Sequence, residues 1–398
     1  MRLSTVLHVV GTLLLILAPA MLVPIPFSLY YGDRDWIALL ASAAVTAGLG
    51  LVLHRLKRPD SDIRHREGFA VVAFAWLLAT LCGSLPFLFS GAIPSFTDAF
   101  FETVSGFTTT GASILSDIEA LSHGILFWRS LTHWIGGMGI IVLTIAILPF
   151  LGVGGMELYR AEGVRTAGDR LTPRITDTAK ILWGVYVVLT AAMVALLLLG
   201  GMNLFDALCH AFGAIATGGY STRNVSMAAF PSPFIQYVTV LFMVLGATNF
   251  SLHYRARRGE LRVYLRDHEC RFYLVLLAIA TLIVCGYTFA QREFGVERTF
   301  RDTLFQVTSI GTTTGYATAD YEQWPNGPQY ILLVLMLFGG SAGSTAGGLK
   351  QLRVYIVLRF VIREMGRMLH PNAVLPVRMG KEAVQREIVA NILGSFIL

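Results

Sequence analysis

The sequence predicts an all-α, polytopic membrane protein whose spans recur around short apolar helices. Three observations carry that reading: a scarcity of charge, a series of long apolar runs, and a segment that repeats three times. Only 14% of the 398 residues are charged and 55% are hydrophobic, whereas soluble domains carry about 25% charged residues. A soluble fold of this size would have too few charges to cover its surface. At about 20 residues per crossing, the chain holds roughly ten spans once loops are allowed for. The 39 glycines suit helices packed in lipid, where small residues let backbones approach. Cys82, Cys209, Cys270 and Cys285 form no CxxC pair and read as packing residues, with neither a disulfide framework nor a zinc site implied.

Taken in order, the apolar runs lie at 5–30, 36–53, 69–90, 124–151, 181–201, 233–252, 272–290 and 328–349. A shorter run follows at 354–362, and another begins near 387. The first run is too long for a cleaved signal peptide, contains Pro19, Pro24 and Pro26, and lacks a small-residue cleavage site. Basic residues fall between alternate runs. Segments 54–66, 155–180, 255–271 and 350–381 hold 23 of the 31 Lys and Arg residues. Segment 91–123 has none, although it carries Asp98, Glu102, Asp117 and Glu119, and segment 202–232 has only Arg223. The positive-inside rule makes the basic segments cytoplasmic, and the N-terminus with them. The net charge of +6 therefore reports topology. A nucleic-acid surface would gather its basic residues on one face among aromatics, so no nucleic-acid partner is expected.

The segments on the opposite side repeat. They read FTDAFFETVSGFTTTGAS at 96–113, LFDALCHAFGAIATGGYST at 204–222 and TFRDTLFQVTSIGTTTGYAT at 299–318. From Asp98, Asp206 and Asp302 to Gly111, Gly218 and Gly315 the intervals are 13, 12 and 13 residues. Each has an apolar stretch too short to span, then Thr-Gly, between two full-length runs. Surface loops are the plainer alternative, but three with matching spacing and flanks argue for a repeated unit. The expected boundaries are two leading helices at 1–60, repeats at 61–155, 156–255 and 256–370, and the start of an incomplete fourth at 371–398.

The physics of that unit points to a cation pore. A helix that stops partway through the bilayer must be followed by backbone lining a water-filled cavity. An Asp at its start caps free N–H groups and matches the helix dipole. The helix C-terminus then points inward, where its partial negative charge favours a cation, and Thr-Thr-Gly carbonyls can replace a hydration shell. The fold expected is span–pore helix–filter–span units around a central pore, in the manner of a potassium channel. Nothing resembles a nucleophile-and-base pair, so no enzyme is expected.

SGFTTTGAS (105–113), ATGGYST (216–222), TTTGYA (312–317), HWIGGMGII (133–141), NFSLHY (249–254) and GGSAGSTAGGLK (339–350) resemble the Trk/Ktr/HKT superfamily of potassium transporters over essentially the whole chain. The likeness is strongest to the bacterial membrane subunits of its Trk branch. The resemblance implies a bacterial inner-membrane protein that transports K+ and holds no cofactor in this chain. It implies filter oxygens from Thr109, Thr110 and Gly111, from Ala216, Thr217 and Gly218, and from Thr313, Thr314 and Gly315, with K+ held at these residues only. Glycine at each filter goes with potassium in this superfamily, and serine in the first filter with sodium. A homodimer and a TrkA-like cytosolic nucleotide-binding ring are the implied partners, besides membrane lipid. The fourth filter of the family would fall beyond Leu398 by the spacing above, so the sequence is expected to be truncated.

The run 328–349 contains ten consecutive small residues, Gly339, Gly340, Ser341, Ala342, Gly343, Ser344, Thr345, Ala346, Gly347 and Gly348. Such a stretch holds a helix poorly. A close helix-packing face is the plainer reading; a flexible intramembrane loop below the filter is the functional one, and the resemblance makes that loop the gate. Lys350 follows at once and is expected to anchor it at the cytoplasmic face. His133 reads as a helix-packing residue and Arg129 as an interfacial anchor, while Asn249 and His253 read as structural hydrogen-bonding residues. Segment 255–271 is a solvated basic loop, and under the resemblance a docking surface for the ring. The main rival is a secondary transporter of another cation or small solute, which predicts inverted repeats, whereas these run in one orientation. A membrane-anchored sensor would need a larger polar stretch than any present.

Overall fold

A computed structural model describes residues 3–56, 65–147, 175–290, 295–370, 373, 375–380 and 382–397. The basic segment 155–174, the middle of segment 54–66 and the end of the run at 124–151 lie outside the described residues. Helix dominates, as expected of a polytopic chain. Among the described residues the sole ladder is a two-residue antiparallel pair, Arg378–Met379 with Glu382–Ala383. Among the described residues, five helices are long and apolar enough to cross a membrane, or six if one bent pair counts as a span. Large apolar side chains such as Ile16, Val52, Leu199 and Leu282 are exposed on them, the pattern lipid-facing helices require.

The chain forms two compact units, residues 1–139 with 193–230, and 140–192 with 231–398. In the first unit, the opening apolar run becomes α1 (Leu3–Ala20) and α2 (Ile25–Tyr31), with Pro24 at the cap of α2. α1 packs on α3 (Trp36–His54) so closely that a Cβ on Gly11 would sit 2.5 Å from the His54 amide nitrogen. α4 (His65–Gly83) and α5 (Leu85–Phe89) lead to a short helix, α6 (Phe96–Phe107), and then to the long α7 (His123–Ile147). The α2–α3 turn caps α7 from a distance: Asp33 Oδ2 accepts the His123 N–H at 2.7 Å and Asp35 Oδ2 the Ile125 N–H at 2.9 Å. These satisfy orphan donors that a helix start cannot pair internally. α8 (Ile175–Leu199), which belongs to the second unit up to Ala192, leads into the second short helix, α9 (Leu204–Ile215). Leu14, Leu39, Phe87, Phe107, Trp128 and Phe205 lie in the core. Cys82 and Cys209 are buried here as free thiols, and Cys270 in the second unit.

In the second unit the run 233–252 is a broken span. α10 (Pro233–Gly246) and α11 (Phe250–Arg257) meet at 104°. Asn249 makes the corner, its Oδ1 accepting the Ser251 N–H at 2.8 Å. His253 Nε2 donates to the Leu245 carbonyl at 2.9 Å, and its Nδ1 accepts from the Tyr264 hydroxyl at 2.7 Å. After α12 (Val263–Arg266), α13 (His268–Ala290) packs on the third short helix, α14 (Val296–Gly311), and on α15 (Asn326–Phe338) through Tyr273, Leu277, Val307 and Leu332. α16 (Gln351–Leu369) and α17 (Arg386–Ile397) close a smaller core around Leu352, Ile356 and Val389.

Candidate ion filter and intramembrane loop

Each short helix ends in a turn of the same form. Thr109, Thr217 and Thr313 have φ of 54°, 54° and 58°, and two residues on Gly111, Gly219 and Gly315 have φ of 78°, 78° and 87°. Left-handed backbone is a genuine outlier for a β-branched residue, and a strain of order 1–3 kcal/mol persists only where the surroundings over-determine it. The hydrogen bonds fix the equivalence. Thr110, Gly218 and Thr314 each donate a backbone N–H five residues back, to Ser105, Gly213 and Ser309, at 2.9, 2.8 and 2.8 Å. Gly219, and not Gly218, therefore stands where Gly111 and Gly315 stand, and the interval from Asp to glycine becomes 13 residues in all three. The expected second set, Ala216, Thr217 and Gly218, moves by one to Thr217, Gly218 and Gly219, with Ala216 in the place of Thr108 and Thr312. No backbone N–H of the described residues donates to the carbonyls of Thr109, Thr110, Gly111, Gly218, Gly219, Thr313, Thr314 or Gly315.

The aspartates do not cap as the sequence suggests. Ser95 Oγ accepts the Asp98 N–H at 3.4 Å and Asn203 Oδ1 the Asp206 N–H at 2.7 Å, so the cap lies three residues earlier. Asp98 and Asp206 occupy the first turn, where the dipole still favours a carboxylate. α14 begins sooner, which puts Asp302 in its second turn, 3.6 Å from Arg298. Asp206 ties the returning chain to its helix, accepting from Thr222 Oγ1 at 2.6 Å and from Arg223 Nη2 at 3.1 Å.

In the first unit the first and second turns lie together. A Cβ on Gly111 would collide with the Gly218 carbonyl, and one on Gly218 would sit 2.5 Å from His133 Nδ1. His133 stacks on Tyr220 with ring centroids 3.8 Å apart, and the Tyr220 hydroxyl donates to the Glu102 carbonyl at 2.9 Å. Arg129 is no interfacial anchor. It is buried, with Nε 2.7 Å from Glu102 Oε1, Nη1 donating to the Ser221 carbonyl at 3.1 Å, and its guanidinium 3.5 Å over the Tyr220 ring. Glu102 Oε2 accepts the Ile114 N–H at 3.1 Å, just past the first turn. Glu102, Arg129 and Tyr220 thus brace both turns from behind, which sequence reasoning missed.

The third turn belongs to the second unit, with the glycine-rich loop. α15 ends at Phe338 and α16 starts at Gln351, so residues 339–350 are irregular, as expected for an interrupted span. The loop is held at many points. The Ser341 N–H donates to the Ala247 carbonyl at 2.9 Å, and Thr345 Oγ1 to the Gly246 carbonyl at 3.0 Å. The Phe250 N–H donates to the Gly343 carbonyl at 3.1 Å. All three contacts use the broken span, whose corner leaves carbonyls and N–H groups without helical partners. Gln351 Nε2 donates to the Gly339 carbonyl at 2.6 Å. Gly339 and Gly348 approach so closely that a Cβ on Gly348 would lie 2.8 Å from the Gly339 Cα. Lys350 Nζ donates to the Ala346 carbonyl, folding the loop's end onto itself. The loop is bonded to the turn, the Gly347 N–H donating to Thr313 Oγ1 at 2.8 Å.

Comparison with known proteins agrees with the helical fold. The family model described as TrkH, cation transport protein, matches residues 38–398. The chain is 40% identical to the Trk system potassium uptake protein TrkH of Halomonas elongata, over 100% of this chain and 83% of the relative. It is 39% identical to the protein of the same description from Escherichia coli K12, with the same coverage. A crystal structure of the potassium transporter TrkH from Vibrio parahaemolyticus superposes with a TM-score of 0.91 at 35% identity, covering 100% of this chain and 83% of that one.

Proposed function

The chain belongs to the TrkH cation transport family, and from that premise we propose that it is the pore-forming subunit of a bacterial potassium uptake system. Its relatives carry potassium in their descriptions. The observation that carries the reading further is the shared turn. Three segments, distant in sequence, place a left-handed Thr two residues before a left-handed Gly, and no backbone N–H of the described residues donates to the carbonyls of Thr109, Thr110, Gly111, Gly218, Gly219, Thr313, Thr314 or Gly315. Oxygens in that state are what a dehydrated monovalent cation requires. The filter is Thr109, Thr110 and Gly111, then Thr217, Gly218 and Gly219, then Thr313, Thr314 and Gly315. The loop 339–348 is the gate, ordered against the broken span and bonded to the third turn. The chain works in the inner membrane as a homodimer, and the basic segment 255–271 receives a TrkA-like nucleotide-binding ring.

The test is growth rescue of a bacterium lacking potassium uptake, on low potassium, together with K+ against Na+ uptake. Serine at Gly111, Gly219 and Gly315 together is expected to abolish rescue and lower the K+/Na+ ratio at least tenfold, about 1.4 kcal/mol of discrimination. Rescue that persists in the triple variant overturns the filter assignment.

A further inference from the structure

We propose that Glu269 is the catch that holds the intramembrane loop closed. The inference rests on the reading of 339–348 as the gate. Glu269 lies in the first turn of α13 and is buried. Its Oε1 accepts two backbone N–H groups: Ala342, near the start of the loop, at 2.6 Å, and Leu352, in the first turn of α16, at 3.2 Å. Leu352 is one of the donors that a helix start cannot pair internally, and the carboxylate also faces the positive end of that helix dipole.

Most other contacts hold one point of the loop: Ser341 and Thr345 on residues 246–247, Gly343 on Phe250, Gly347 on Thr313. Gln351 joins the two ends directly, its N–H donating to the Gly340 carbonyl at 3.0 Å and its Nε2 to the Gly339 carbonyl at 2.6 Å, and Glu269 adds a second clasp across them from another helix. One oxygen fastens Ala342 to Leu352, so the chain between them is closed into a ring, and neither arm can swing without breaking a bond to that oxygen. Bonds to a carboxylate are roughly twice as strong as those between neutral groups. Glu269 touches no ion in this scheme. It is a positioning residue, set in a span that enters from the basic cytoplasmic segment, where displacement of α13 would release both arms at once.

The experiment measures K+ flux into proteoliposomes of the full-length protein, with K+/Na+ selectivity, for Glu269→Gln, for deletion of 341–347, and for the two combined. Glutamine keeps the shape but offers a neutral acceptor, and is expected to raise flux about fivefold with selectivity unchanged, since the filter is untouched. Glu269→Asp keeps the charge but shortens the reach, and is expected to fall between. In the loop-deleted background Glu269→Gln should add nothing, which also shows that the variant folds. Unchanged or lower flux in Glu269→Gln, where loop deletion raises flux, overturns the catch and leaves the gate standing. An altered K+/Na+ ratio in Glu269→Gln overturns it too, by placing its effect at the filter. Unchanged flux on loop deletion overturns the gate reading, and the catch with it.

Discussion

Arg129 and Glu102 put two full charges where almost no water reaches, their side chains 2% and 0% exposed. Removing such ions from water costs several kcal/mol each, and attraction between them offsets this only when the remaining donors and acceptors are also met. Here they are met. The Ser221 carbonyl, the Ser113 hydroxyl, the Ile114 N–H and the face of Tyr220 complete the pair. Arg129→Met strands the Glu102 carboxylate and is expected to cost about 3–5 kcal/mol. Arg129→Met with Glu102→Leu leaves no buried charge unpaired and should cost less than the two single changes summed. Thermal unfolding in detergent measures both, and additive losses would sink the account. The sequence offered no sign of this pair. Its members lie 27 residues apart on different helices, and an arginine near the end of an apolar run looks the same whether it meets headgroups or a buried carboxylate.

At the scale of elements, α7 must pass the end of α6 with no side chain between them. A Cβ on Gly136 would overlap the Phe107 carbonyl, two residues before the left-handed Thr109. Gly136→Ala therefore forces that turn aside, at about 1–3 kcal/mol of overpacking, and a drop in K+ uptake of about tenfold follows where filter geometry sets the rate. Gly139→Ala, one turn along the same helix, meets only the Trp76 ring at 3.6 Å and should stay within about 0.5 kcal/mol of the parent. Equal loss in both variants would show that α7, and not its contact with the turn, had been disturbed. The elements themselves were largely legible in the sequence, because lipid admits only internally bonded helices and so imposes long apolar runs. The loop after Phe338 was legible for the same reason in reverse, since ten small residues cannot sustain a helix. The 104° corner at Asn249 was not, because its cause is tertiary: the loop takes up the backbone groups it frees. The second turn's equivalence differs from the expected spacing where Gly218 and Gly219 stand side by side. Counting stops at the first, and only the bond from Gly218 to Gly213 shows that the second fills the role. The pair Gly-Tyr, shared by 219–220 and 315–316, was the signal available.

At the scale of the whole molecule, orientation rests on where charge collects. With 23 of 31 basic residues in four alternate segments, only one orientation keeps most of them on the cytoplasmic side. The opposite segments then carry the exposed Asp98, Asp117 and Glu119, which under the proposed function present acid where a cation enters. Steering by such a field raises the local cation concentration, and salt screens it over about 8–10 Å. Two positions read this orientation without disturbing a core. Val225 is 60% exposed in the segment after the second filter, and Leu261 is 70% exposed in the basic loop after α11. Cys82, Cys209 and Cys270 are buried and Cys285 is half-buried within a span, so a membrane-impermeant maleimide meets little background. In intact spheroplasts Val225→Cys should label and Leu261→Cys should not. Once the membrane is permeabilised, both should label. The reverse pattern would place the basic segments outside, and with them the surface assigned to a cytosolic ring.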